Sequence, residues 1–182
     1  MISIQEKKKW RLFFALWPSE TERTALALWQ PLLHELCDGR AMRPATLHVT
    51  LMFLGEVAEN RLEALQLAAR EVDFQRFYLE LLEAHYWGHN HIVYAAPEVV
   101  PSQHTSLVNE LQSKLLNHRF QFEQRPYKPH VTLLRNAKWS DAPLPRQSKV
   151  CWQVSDFVLV QSLSDEQGAC YEVLARFSAK AD

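Results

Sequence analysis

The tetrapeptide His-Val-Thr-Leu occurs twice in the chain, at His48–Leu51 and again at His130–Leu133. Both copies lie in short apolar runs. LHVTLMFL covers Leu47–Leu54, and the second copy opens a run His130–Leu134 directly after Pro129. Runs of this length and composition predict strands. Side chains alternate faces along a strand, so His48 and Thr50 point one way while Val49 and Leu51 point the other. His130 and Thr132 repeat the arrangement against Val131 and Leu133. Each copy thus offers an imidazole and a hydroxyl on one face and an aliphatic pair to a core. A packing role alone would not require the same polar pair twice.

The rest of the chain supplies the elements around these two strands. Arg11–Trp17 (RLFFALW), closed by Pro18, predicts a buried strand. Ser19 and Glu22 have the spacing of a capping box, followed by Leu26, Trp29, Leu33 and Leu36 at helical spacing, with Pro31 a point of shortening or kinking. A second helix is expected from Glu59 to Val72, with Leu62, Leu65, Ala69 and Val72 on one stripe. Phe77–Trp87 and His91–Ala96 read as strands joined by Gly88-His89-Asn90. Ser102 is a candidate cap for a helix carrying Leu107, Leu111 and Leu115. Beyond a proline-containing loop (Ala142–Gln147), Trp152–Gln161 and Tyr171–Phe177 predict the last two strands. The order β-α-β-α-ββ-α-β-β-β implies an α+β fold with a mostly antiparallel sheet. Nothing resembling a linker divides the chain, so residues 1–182 are expected to form one domain.

Several functional classes are excluded or disfavoured by the totals. Only four glycines occur, and neither GxGxxG nor GxxxxGK[ST] is present, which removes the usual phosphate-cradling loops. The net charge is −1, which argues against a long nucleic-acid footprint but not against recognition of one terminal phosphate. Cys37, Cys151 and Cys170 are an odd, widely spaced set, suited to a reducing compartment rather than to disulfides or zinc. Met1–Lys9 is charged and polar, and no apolar stretch approaches the roughly 18–20 residues that span a bilayer. A cytoplasmic, monomeric protein with no membrane partner is expected.

If the two motif strands flank a cleft, two imidazoles and two hydroxyls converge on a small space. Phosphodiester hydrolysis without a metal asks for that set. A neutral histidine takes a proton from the attacking water, and a protonated one gives a proton to the departing ribose oxygen. With an ordinary pKa of about 6.5, histidine can serve in either form near neutrality. His48 and His130 are therefore the candidate catalytic pair, and Thr50 and Thr132 the candidate donors to non-bridging oxygens. Arg135, five residues beyond His130, would add a fixed positive charge and a planar pair of donors. The equivalent position after the first copy is Phe53, which reads as core. His85, His89 and His91 read as solvated hairpin residues, and His34, His104 and His118 as solvent-facing helical residues. No metal and no cofactor are expected.

The two motif copies, with LMFLGEV completing the first and PYKPHVTLLR surrounding the second, resemble the 2H phosphoesterases. Within them the chain is similar to the bacterial RNA 2′,3′-cyclic phosphodiesterases, historically called 2′-5′ RNA ligases. RLFFAL is similar to that family's first strand, and WQVSDFVLVQS with YEVLARF to its last two. The resemblance covers nearly the whole chain. It implies a bilobal fold in which two antiparallel sheets flank a central groove with helices outside. It also implies hydrolysis of RNA 2′,3′-cyclic phosphate ends to 2′-phosphomonoesters, with weak reverse 2′-5′ ligation. The family pattern would make His48 the acid and His130 the base, an assignment the residues themselves leave open. Thr46 stands two before His48, where related sequences often carry Asn. Two other readings are a phosphodiesterase for a small cyclic nucleotide, 2′-5′ oligonucleotide or nucleotide-sugar cyclic phosphate, and a non-catalytic RNA-end binding module.

Overall fold

The computed structural model describes residues 8–124, 127–166 and 168–181. Most of the charged amino-terminal segment, and Pro126 of the PYKPHVTLLR stretch, lie outside these residues. Among the described residues, nine strands are β1 Lys9–Leu16, β2 Arg40–Ala41, β3 Val49–Ala58, β4 Phe77–Trp87, β5 Ile92–Pro97, β6 Val131–Arg135, β7 Val150–Val154, β8 Asp156–Asp165 and β9 Gly168–Ser178. The described residues also form four α-helices: α1 Glu20–Ala27, α2 Gln30–Cys37, α3 Leu62–Arg70 and α4 Ser102–Asn117.

Eight strands run in the order β7-β4-β5-β6-β3-β1-β8-β9, with β2 paired to β6. All the pairings are antiparallel. The sheet has two halves, β9-β8-β1-β3 and β6-β5-β4-β7, which among the described residues meet through the single residue pair Val49–Val131. These are the two antiparallel sheets implied by the family resemblance, bridged at one point. Val49 and Val131 are the same position of the two motif copies, so the antiparallel pair marks a local two-fold relation between the halves.

The helices pack on one face of this sheet. Leu26, Leu33, Leu65, Leu107, Leu111 and Leu115 from the helices share one buried cluster with Leu12 and Phe14 of β1, Leu79 and Leu81 of β4, and Phe157 of β8. Burial of these side chains, each worth roughly 1.5–3 kcal/mol, is the main force holding helices to sheet. The other face of the β1 half carries a smaller cluster, Phe13, Ala15, Val158 and Val160. Ile92, Tyr94 and Ala96 form a comparable one on β5. The unbroken apolar run of β1 follows from burial on both faces.

Three local expectations are corrected. The helix begun at Ser19 is two helices. Its capping box is present, with the Ser19 backbone N–H donating to the Glu22 carboxylate at 3.0 Å. Pro31 is the second residue of α2, in the first turn, where its missing N–H breaks no helical bond. Pro101 occupies the cap position of α4, and Ser102 is its first helical residue. The span Trp152–Gln161 is not one strand. β7 pairs with β4 in one half and β8 with β1 in the other, and exposed Ser155 separates them.

Candidate active site

Each motif copy ends on a β-bulge. Along the β1–β3 pair, Ala15 opposes Thr50 but Phe14 opposes Met52, so Leu51 is an extra residue. Along β5–β6, Tyr94 opposes Thr132 but Val93 opposes Leu134, so Leu133 is the extra one. A bulge inserts one residue and reverses the alternation beyond it. Leu51 and Met52 are therefore both buried, as are Leu133 and Leu134. Strict alternation would turn positions 53 and 135 into the core with Val49 and Val131. The bulges turn both onto the face of the histidines. Phe53 consequently lines the cleft instead of joining the core, and Arg135 reaches it.

About the Val49–Val131 pair, the antiparallel register sets His48 beside Thr132 and Thr50 beside His130. Both valines are completely buried, which fixes the polar four on the opposite face. All of them line a cavity of about 390 Å³ together with Arg135, Phe53, Arg11 and Tyr171. A larger cavity of about 850 Å³ shares Thr50, Phe53, His130, Thr132 and Arg135 and extends toward the β4–β5 hairpin and α4. The structure thus brings together the five residues singled out from the sequence.

The two imidazoles are oriented alike. His48 Nδ1 donates to the Thr46 carbonyl at 2.7 Å, and His130 Nδ1 donates to the Lys128 carbonyl at 2.8 Å. A carbonyl only accepts, so each Nδ1 carries a hydrogen and each Nε2 is left to exchange protons. His48 Nε2 lies 3.1 Å from Thr50 Oγ1. Thr46 also donates its hydroxyl to the Arg43 carbonyl at 2.8 Å, holding the 3₁₀ turn Pro44–Thr46 that delivers His48.

Aromatic rings confine both histidines. Trp17 stacks on His48 at 5.4 Å, with Phe13 at 5.1 Å and Tyr171 at 5.2 Å. Trp87 and Tyr94 meet His130 at 5.0 and 5.5 Å. Burial pushes the His48 pKa down to about 4, against the Thr46 hydrogen bond, with smaller repulsions from His130 and Arg135. His130 is lowered as well, chiefly by burial and then by the charges of Lys128 and Arg135, against the Lys128 carbonyl. Both imidazoles are thus biased toward the neutral form until an anion enters.

Phe13, Trp17, Tyr94 and Lys128 were not singled out from the sequence. The first two sit at alternate positions of RLFFALW with Arg11 and Ala15, a period-2 signal hidden by the aromatic run. Trp87 and Tyr171 arrive through strand pairing and left no local signal. His104 is a correction. It is wholly buried, not solvent-facing, and its Nε2 lies 2.7 Å from the Tyr127 hydroxyl.

Residues 17–166 match the model of the 2′-5′ RNA ligase superfamily. The chain belongs to that superfamily. It is 30% identical over 168 residues to the RNA 2′,3′-cyclic phosphodiesterase of Escherichia coli strain K12, covering 92% of this chain and 96% of that one. It is 31% identical to the RNA 2′,3′-cyclic phosphodiesterase of Thermus thermophilus, covering 94% and 91%. A crystal structure of E. coli LigT complexed with 3′-AMP superposes with a TM-score of 0.85 at 29% identity, over 96% of this chain and 100% of that one. The superfamily's α+β fold is thereby that of this chain. Among the described residues, no helix is long and apolar enough to cross a membrane.

Proposed function

We propose that the chain hydrolyses RNA 2′,3′-cyclic phosphate ends to 2′-phosphomonoesters by general acid/base catalysis between His48 and His130. The observation that carries this reading is the paired geometry: two Nε2 atoms, two threonine hydroxyls and Arg135 around one cavity. The phosphodiesterase names of relatives about 30% identical over nearly the full chain support the same substrate. All the residues invoked belong to one chain, so a monomer suffices.

The cyclic phosphate would sit between the histidines, its non-bridging oxygens toward Thr50, Thr132 and Arg135. Neutral His130 takes a proton from water as the water oxygen bonds to phosphorus. Protonated His48 gives its proton to O3′ as the P–O3′ bond breaks, leaving phosphate on O2′. This division follows the family pattern. The anionic substrate raises the depressed histidine pKa values, which favours uptake from solvent of the proton that His48 must hold. Developing charge on the phosphoryl oxygens is met by preplaced donors, the largest usual source of rate.

No step in this scheme uses a metal ion. An oligonucleotide ending in a 2′,3′-cyclic phosphate, incubated with the protein and excess EDTA, should yield only 2′-phosphate ends. Loss of turnover on chelation, or 3′-phosphate products, would contradict the scheme.

A further inference from the structure

The two cavities meet at the proposed phosphate position, because they share Thr50, His130, Thr132 and Arg135. In-line displacement places entering and leaving oxygens on opposite sides of phosphorus. Hydrolysis of a cyclic mononucleotide would therefore fill one side with a nucleoside and the other with a water, whose share of liquid volume is only about 30 Å³. Yet the second cavity, which takes in that position and the arm beyond His130, has about 850 Å³. That volume lies in the range that accommodates organic ligands of nucleotide size.

Its chemistry is equally specific. The Lys128 ammonium is held over the Trp87 ring at 5.4 Å and donates to the Tyr94 hydroxyl at 3.2 Å. A lysine fixed by one hydrogen bond retains two further donors for a phosphate. Trp87 brings an aromatic surface to the same wall. The side-chain amides of Asn90, in the same hairpin as Trp87, and of Gln112 on α4 also line this cavity, and neither bonds to another described residue. Amides present donor and acceptor together, the pattern that reads a base edge. Glu123 is the acidic residue of this lining.

We propose that the Trp87–Lys128 arm, beside His130 and lined also by Gln112, is a subsite for a second nucleotide. Lys128 takes that nucleotide's phosphate, Trp87 supports its base, and Gln112 and Asn90 contact the base edge. The inference rests on the cyclic-phosphate chemistry proposed above. It adds that a second nucleotide is bound beside the reacting phosphate. The second nucleotide can come from the penultimate position of the same strand or from a separate nucleotide lying across the phosphate.

The test compares kcat/KM on a 2′,3′-cyclic mononucleotide and on a dinucleotide ending in the same cyclic phosphate. It also measures inhibition of mononucleotide turnover by a nucleoside 5′-monophosphate. A same-strand source predicts a dinucleotide preference of about 10-fold or more, on the order of one stacked base. Gln112→Ala and Lys128→Met should each reduce that ratio several-fold. A separate-nucleotide source predicts a ratio near one, with competitive inhibition by the monophosphate that weakens several-fold in the same variants. A ratio near one without inhibition overturns the subsite, as does a preference or inhibition that both variants leave intact. Absence of wild-type turnover on either substrate would instead overturn the underlying reaction. Inhibition is read on the wild-type protein as well, so a poorly folding variant does not remove the test.

Discussion

Each motif histidine commits one nitrogen to a backbone carbonyl two residues upstream and presents the other to the cavity. In the proposed reaction, this choice of tautomer is what lets a histidine–threonine pair on a strand carry a proton. The sequence announced the pair by repeating it, and alternation was enough to predict which side chains face outward. It was not enough for Arg135 or Phe53, whose orientation depends on bulges at Leu51 and Leu133. Nothing local in VTLM or VTLL signals a bulge; only the strand pairing shows it. His48→Ala and His130→Ala should each lower kcat by about 10²–10⁴. Their double variant should fall little further, because acid and base act as one unit. Arg135→Met should cost about 10²–10³ in kcat if the guanidinium meets charge in the transition state. A kcat for Arg135→Met within about threefold of wild type would remove Arg135 from that role.

The elements serve mainly to hold these few side chains. β6, with only five residues, is braced by β2 and by Gln30 of α2, whose amide donates to the Met42 and Leu133 carbonyls at 2.8 and 3.0 Å. Gly39 completes the brace at φ +92°, and a Cβ there would lie 2.6 Å from the Arg135 carbonyl oxygen. Both the space and the backbone angle exclude a side chain. Gly39→Ala should therefore destabilise the fold by about 1–3 kcal/mol and shift the end of β6. Denaturant unfolding would show the first effect. Phosphate affinity should fall with it, since Arg135 sits on the displaced strand. Unchanged stability and binding would show that the brace is dispensable. Most elements were legible from periodicity, β4 to the residue. The boundary at Ser155 was not, because β7 and β8 are adjacent in sequence but belong to different halves.

Over the whole molecule, the same burial that orders the site makes the fold sensitive to acid. His104 stands on α4 with Phe77 edge-on and the Tyr127 hydroxyl against it, and burial pushes its pKa down to about 4. Its value in the unfolded chain is the ordinary one of about 6.5. Between these values the unfolded state binds a proton that the folded state does not, so stability falls as pH drops from 6.5 toward 4. The loss attributable to His104 is about 3 kcal/mol across that window. Chemical denaturation at pH 7 and pH 4.5 should show it, and His104→Phe should remove His104's share and leave that of the buried His48 and His130. Equal stability at the two pH values would contradict the burial argument.

Burial also lowers His48 and His130 in the free protein, whereas a bound phosphate anion raises them. The pH dependence of turnover on a 2′,3′-cyclic-phosphate oligonucleotide therefore reports both histidines at once. The free-enzyme profile, kcat/KM, should be bell-shaped with its maximum below pH 6.5. The kcat profile should be a bell displaced to higher pH. A kcat/KM profile flat from pH 4 to 9, or one whose two limbs persist in His48→Ala or His130→Ala, would contradict a paired acid and base.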